Sequence, residues 1–323
     1  LIGSTINTQS TLAGGGNALT ITGAADIDGA FSGITNLSVS GTSNIGANVT
    51  TTGTQTYVGA VTLSGGDRTL TGSTINTQST LAGGGNALAI AGAADIDGAY
   101  TGITNLSVSG TSNIGANVTT TGTQTYSGAV TVSAASTLST TNSNVTLGDS
   151  LSLAENLSVN TGAGAGDILV AGAIDGVKAL SLSAGTGVIT LSGAVGQTTR
   201  LGTITLNSSG TTTLTQAVKA AGLTTNSGGT LLINGGGVDT TGTQTYGDAI
   251  TLGADATLIG TTINTQSTLA GGGNALTITG AADIDGAYTG ITNVSVSGTS
   301  HIGANVTTTG TQTYVGAVTL SGG

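Results

Sequence analysis

Through much of the chain an aliphatic residue is followed by Ser, Thr or Ala and then by another aliphatic residue. This short phrase begins at 18 (ALTITG), 36 (NLSVSG), 60 (AVTLSG), 87 (ALAIAG), 105 (NLSVSG) and 129 (AVTVSA). It resumes at 156, 179, 203, 230, 249, 275, 293 and 317. Thirteen steps separate the first start from the last, and they average about 23. Strict alternation puts aliphatic side chains on one face of a strand and hydroxyls on the other. Leu19 and Ile21 are expected to point inward, with Thr20 and Thr22 outward. The glycine density and β-branched runs such as VTTTGTQT disfavour helix.

A longer repeat contains the short one. Thr11–Gly65 matches Thr80–Ala134 with seven differences in 55 positions at an offset of 69, and the unit returns at Thr268–Gly322. The repeats span about 3–71, 72–134 and 260–323, around a centre at 135–239 whose wording has diverged. Within each unit the phrase starts are unequally spaced, as the steps from 18 to 36, 36 to 60 and 60 to 87 show. A recurring strand predicts an all-β fold, a parallel β-helix or β-solenoid with coils stacked about 4.8 Å apart. The mean spacing predicts about 23 residues per coil and about 14 coils, in one continuous segment covering 1–323. The usual crossover of parallel strands makes such a coil right-handed. Because the chain opens at Leu1 and stops inside the pattern, it reads as a fragment of a longer repeat array.

Composition narrows the function classes. The chain has 58 Gly, no Pro, Cys, Met or Trp, only 2% aromatic and 6% charged residues, and a net charge of −10. A mean hydropathy of +0.31 sets it apart from disordered chains, which combine low hydrophobicity with high charge. Four cations, Arg68, Lys178, Arg200 and Lys219, make no basic stripe, so nucleic acid is excluded as a partner. No apolar run is long enough for a transmembrane helix. Six Tyr and one Phe cannot supply the aromatic girdles of a membrane barrel.

The phrases NVTTTGTQTYSGAVTVS, SLSAGTGVITLSGAVGQTTRLGTITLNSSG and TTGTQTYGDAITLGADATL resemble the repeats of filamentous-haemagglutinin-like large exoproteins of two-partner secretion. The resemblance lies in repeat wording and covers essentially the whole chain. That family's N-terminal secretion domain is not among these residues. The resemblance implies a right-handed parallel β-helix shaft and export through an outer-membrane secretion partner. It also implies a place on the bacterial cell surface or in the medium, with a role in adhesion, aggregation or filaments.

Candidate chemistry is sparse. The phrase AADIDGA occurs three times and carries Asp26 and Asp28, Asp95 and Asp97, and Asp283 and Asp285. Clustered carboxylates suit calcium, yet the longer ligand loops of known calcium motifs are missing. The plain reading is two outward Asp flanking an inward Ile. Registering coils on the mean beat of the phrase places Arg68 beside Asp95 and His301 beside Asp283, as cross-coil polar pairs. His301 stands where the other copies have Asn44 and Asn113. No catalytic, cofactor-binding or metal residues are assigned, and the chain is read as a non-enzyme. Glycoside hydrolysis needs two carboxylates facing across a sugar, whereas these recur in copies along a strand.

The hexapeptide TGTQTY recurs at Thr52–Tyr57, Thr121–Tyr126, Thr241–Tyr246 and Thr309–Tyr314. Its alternating threonines share a face, with Tyr57, Tyr126, Tyr246 and Tyr314 filling a wider corner and their hydroxyls reaching water. The expected function is the structural shaft of a long secreted bacterial surface protein, an adhesin stalk or extracellular filament subunit. Its expected partners are copies of itself in fibres or lateral bundles, and a host-cell, neighbouring-cell or carbohydrate receptor. The alternative is a binding module for ice or carbohydrate with a flat Thr-rich face.

Overall fold

The computed structural model describes residues 1–321, so the last two residues of the repeat at 260–323 lie outside the described residues. The fold is all-β, with no helix among the described residues. A parallel sheet is wound into a β-solenoid of about 17 turns with about 19 residues per turn. Two compact units divide it, Leu1–Gly162 and Ala163–Gly323.

Each turn has three sides, and each side pairs with the same side of the next turn; some sides are short strands of their own, while Leu12–Ile27 and Leu81–Ile96 each run through all three. In the first unit, one ladder of inward residues runs Leu12, Phe31, Val49, Leu70, Ile90, Val108, Tyr126, Leu147. A second runs Leu19, Leu37, Gln55, Ile75, Ala94, Ser112, Val130, Leu151. The third runs Ala25, Ser43, Val61, Leu81, Tyr100, Val118, Leu138, Val159. The aliphatic and aromatic members from Phe31 onward, together with Ala25, are buried. The core is a thin column in which each turn is covered by its neighbours, which is how a chain so poor in large side chains builds an interior.

The second unit repeats the plan with a diverged wording. Its ladders include Leu180, Ile204, Leu223, Gln244, Ile263, Ala282 and Ser300 on one side. Ile168, Ile189, Thr212, Leu231, Ile250, Leu269 and Tyr288 line another.

The expected coil length and coil count are corrected: a turn takes about 19 residues, and there are about 17 turns. Turns vary in length around that mean, since Leu19 pairs with Leu37, Gln55 with Ile75 and Leu180 with Ile204. The alternating phrase does not mark turns. It marks some sides, while intervening sides are short strands such as SNI, VTT and QTY. Those strands place Ser43, Thr51 and Gln55 inward, where a hydropathy pattern does not find them.

The long repeat is also out of step with the turn. Leu12 starts it in the first ladder, and its copy Leu81 sits in the third. One repeat therefore advances three turns and two further sides. Within the first unit of the fold, Gln55 and its copy Gln124 lie on different sides. Within the second, Gln244 and Gln312 do likewise. The same sequence is accepted on more than one side because the strand keeps its inward alternation there, as Gln55–Tyr57 and Gln124–Tyr126 both do.

Candidate functional site

The recurring hexapeptide has an interior role. In its first copy Gln55 and Tyr57 point inward and are fully buried. The Gln55 Nε2 donates to the carbonyl oxygens of Val49 at 3.1 Å and Thr71 at 2.8 Å. Val49 precedes the bend in the same turn, and Thr71 belongs to the next. Tyr57 Oη donates to Gln55 Oε1 at 2.8 Å, so the side-chain amide is satisfied at both ends. Thr51 Oγ1 bridges the bend by donating to the Gly53 carbonyl at 2.8 Å.

The construction is complete in two further copies and partial in the fourth, where Gln312 is exposed and its amide meets one carbonyl. Gln124 donates to Val118 and Ser139 carbonyls at 3.1 and 2.8 Å and accepts from Tyr126 at 3.1 Å. Gln244 donates to Val238 and Ile259 carbonyls at 3.0 and 2.7 Å and accepts from Tyr246 at 2.7 Å. Gln312 donates to Val306 at 3.0 Å and accepts from Tyr314 at 3.1 Å. A bend frees backbone carbonyls that a strand would pair, and buried carbonyls need donors. The hexapeptide supplies its own.

The expectation that these tyrosine hydroxyls reach water is therefore corrected for Tyr57, Tyr126 and Tyr246, all fully buried. Burial pushes their ionisation well above the ordinary tyrosine range, as it does for Tyr100 and Tyr288, whose hydroxyls bond Thr77 and Thr265 at 2.9 Å. Each therefore opposes unfolding in full only while pH stays below its unfolded value, and stability is lost as alkali rises past that value. In a spectrophotometric titration these five should ionise together with loss of the β-sheet circular dichroism signal. Smooth titration of all six tyrosines with the fold intact would contradict the buried geometry.

The acidic phrase lies on the outer surface with its isoleucines inward; Ile27, Ile96 and Ile284 are fully buried. Asp26 accepts from Asn7 Nδ2 at 2.9 Å and Asn44 Nδ2 at 2.8 Å, from the turns on either side. Asp95 accepts from Asn76 at 2.7 Å and Asn113 at 2.8 Å in the same way. Asp97 is exposed, and desolvation followed by the neighbouring Asp95 charge raises its pKa. Asp28 and Asp285 are exposed as well.

Of the two pairs expected across coils, the structure brings together His301 and Asp283, with Nδ1 2.9 Å from Oδ1 and the side chains 45% and 34% exposed. The other is corrected: Arg68 does not meet Asp95. Its guanidinium donates to the carbonyls of Ile45 at 3.2 Å, Asp67 at 2.8 Å and Ser64. The difference is one of spacing. Asp283 and His301 occupy matching positions one whole turn apart. Arg68 meets Leu88 after one turn, and Asp95 lies a further side along. Sequence reasoning also missed Asn7, Asn44, Asn76 and Asn113 as the carboxylate partners. A coil registered on the true turn, about 19 residues long, would have found them.

Asp283, Asp285 and His301 offer three ligand atoms within 4.8 Å of one another. In the two other copies amide N–H groups from adjacent turns already face the first carboxylate, which is the arrangement of a hydrogen-bonded ladder. Another contact that the sequence did not announce is the clamp of Arg200. It donates to the carbonyls of Ala220 at 3.1 Å and Asp239 at 2.6 Å and pairs with the Asp239 carboxylate at 2.8 Å.

No protein-family model, curated protein or solved structure matches this chain.

Proposed function

We propose that the chain is the structural shaft of a long secreted bacterial surface protein, serving as an adhesin stalk or extracellular filament subunit. The observation carrying this reading is the mismatch between the long repeat and the turn. A repeated binding face requires the same outward residues to recur on one side. Here Asp26 and its copy Asp95 project from different sides, and so do Thr56 and Thr125. What the copies at Gln55, Gln124 and Gln244 preserve is the interior, with its buried Gln–Tyr bend and aliphatic ladders. The repeats thus maintain a column rather than a surface pattern.

Export and a secretion partner rest on the repeat wording alone. Self-association into fibres or lateral bundles accords with the low charge of the outward faces, which carry mainly Ser, Thr, Ala and Asn.

The alternative, a Thr-rich face for ice or carbohydrate, has one specific support. Thr205, Thr224 and Thr245 occupy the same outward place in three consecutive turns. The row then passes to Asn264, Asp283 and His301, which do not continue it.

Electron cryomicroscopy of native material, on cells and after shearing, tests the shaft. Thin fibres with an axial repeat of about 4.8 Å are expected. Globular particles that inhibit ice recrystallisation or bind a glycan, with both activities lost on Thr224→Lys, would sink the shaft and support the Thr face.

A further inference from the structure

In three copies the hexapeptide is followed by a glycine two residues later: Gly59, Gly128 and Gly316. There is no room for a side chain at these bends. A Cβ on Gly59 would lie 2.4 Å from the Gly41 carbonyl oxygen, one on Gly128 2.6 Å from that of Gly110, and one on Gly316 2.4 Å from that of Gly298. The copy in the second unit reads TGTQTYGDA, with Asp248 in the glycine's place.

Asp248 is only 1% exposed. The preceding turn is shaped around it by the bend at 226–229, where Gly228 takes a left-handed φ of 105°. Gly229 N donates to Asp248 Oδ1 at 2.8 Å, and the Asp248 backbone N donates to Thr225 Oγ1 at 3.2 Å. Oδ2 is buried with no hydrogen-bond partner.

The flanking stretches 206–214, 223–233 and 265–270 contain no Asp, Glu, Lys, Arg or His. Asp248 lies in the bend between the strands Gln244–Tyr246 and Ala249–Leu252, and its nearest titratable neighbour along the chain is Tyr246, whose hydroxyl is committed to Gln244. No counter-charge from these stretches faces the carboxyl, and an isolated buried carboxylate is far costlier than its neutral acid.

We propose that Asp248 is a proton-operated latch on the bend at 226–229: as a neutral acid it holds the bend closed, and ionisation loosens it. Burial raises the pKa of this carboxyl, outweighing the opposing hydrogen bonds from Gly229 and Thr225. The folded group keeps its proton to higher pH than the unfolded one. Its contribution is therefore complete in acid and declines as pH climbs from the ordinary carboxylate range through the raised pKa.

Hydrogen exchange of the full chain between pH 5 and 8, corrected for intrinsic chemical exchange, reads the latch at the amides of 227–230. In the wild type, protection there is expected to fall with rising pH, by up to about tenfold per pH unit. Asp248→Asn keeps an Oδ1 acceptor and cannot ionise, so its protection should not change with pH. Asp248→Gly restores the residue of the other copies and should also be flat, which keeps the test open if the Asn variant fails to fold. Equal pH dependence in wild type and variants would overturn the latch. So would protection that responds to added calcium or sodium at constant pH, since Oδ2 would then be a cation ligand.

Discussion

Tyr126→Ala is expected to destabilise the turns around it by about 4 kcal/mol, within the range for emptying a buried aromatic site. The side chain is fully buried between Val108 and Leu147 of the adjoining turns, so neither neighbour can fill the space without leaving its own ladder. The loss has a second part. Gln124 Oε1 would keep its burial and lose its donor, leaving an unsatisfied acceptor. Tyr126→Phe isolates that part and should cost about 1–2 kcal/mol. Because each turn touches only its neighbours, the damage should be local. Hydrogen exchange should show faster opening from about 100 to 150, with the second unit unchanged. Uniform loss of protection along the chain would contradict the nearest-neighbour picture.

Gly92→Ala should be of comparable size, about 3–5 kcal/mol, for a backbone reason. Gly92 has a φ of 147°, and a Cβ there would lie 1.8 Å from the carbonyl oxygen of Gly72 in the turn beneath. Both glycines sit at a register break flanked closely by the paired residues Thr71 with Ala91 and Thr74 with Ala93, which leave the backbone little room to swing aside. Gly23 and Gly280, its copies, make the same approach at 1.9 Å to Gly3 and Gly260. Gly85→Ala is the matched control: its φ is 82° with nothing within 4 Å, so only the left-handed strain of about 1–2 kcal/mol applies. Thermal unfolding that left Gly92→Ala no worse than Gly85→Ala would show that the turns are looser than the ladders require.

Local chemistry was plain in the sequence. Alternation of aliphatic and hydroxyl residues specified strand, turned Leu19 and Ile21 inward, of which Ile21 is fully buried and Leu19 half-buried, and turned Asp26 and Asp95 outward. The recurrence of strands specified a solenoid, since a chain with so few large side chains can bury them only against copies of itself. Alternation repeats at every second position, and any window of the chain carries it in full.

The length of the turn was not legible. It depends on how much chain each bend consumes, and bends of different size close the shorter turn from Leu19 to Leu37 and the longer one from Leu180 to Ile204. Strands such as QTY carry no aliphatic alternation and were invisible to it. That single quantity decides every contact between turns, which is why Asp283 met its partner and Asp95 met two asparagines instead of Arg68. It also decides the fate of Gln55, Gln124 and Gln244. Nothing within TGTQTY shows that a polar glutamine belongs in the core, because one of the carbonyls it caps is brought there by the next turn. Residue-by-residue pattern determines which side chains face inward. Only the stacking of turns, fixed by backbone hydrogen bonds from each turn to the next, decides what they meet.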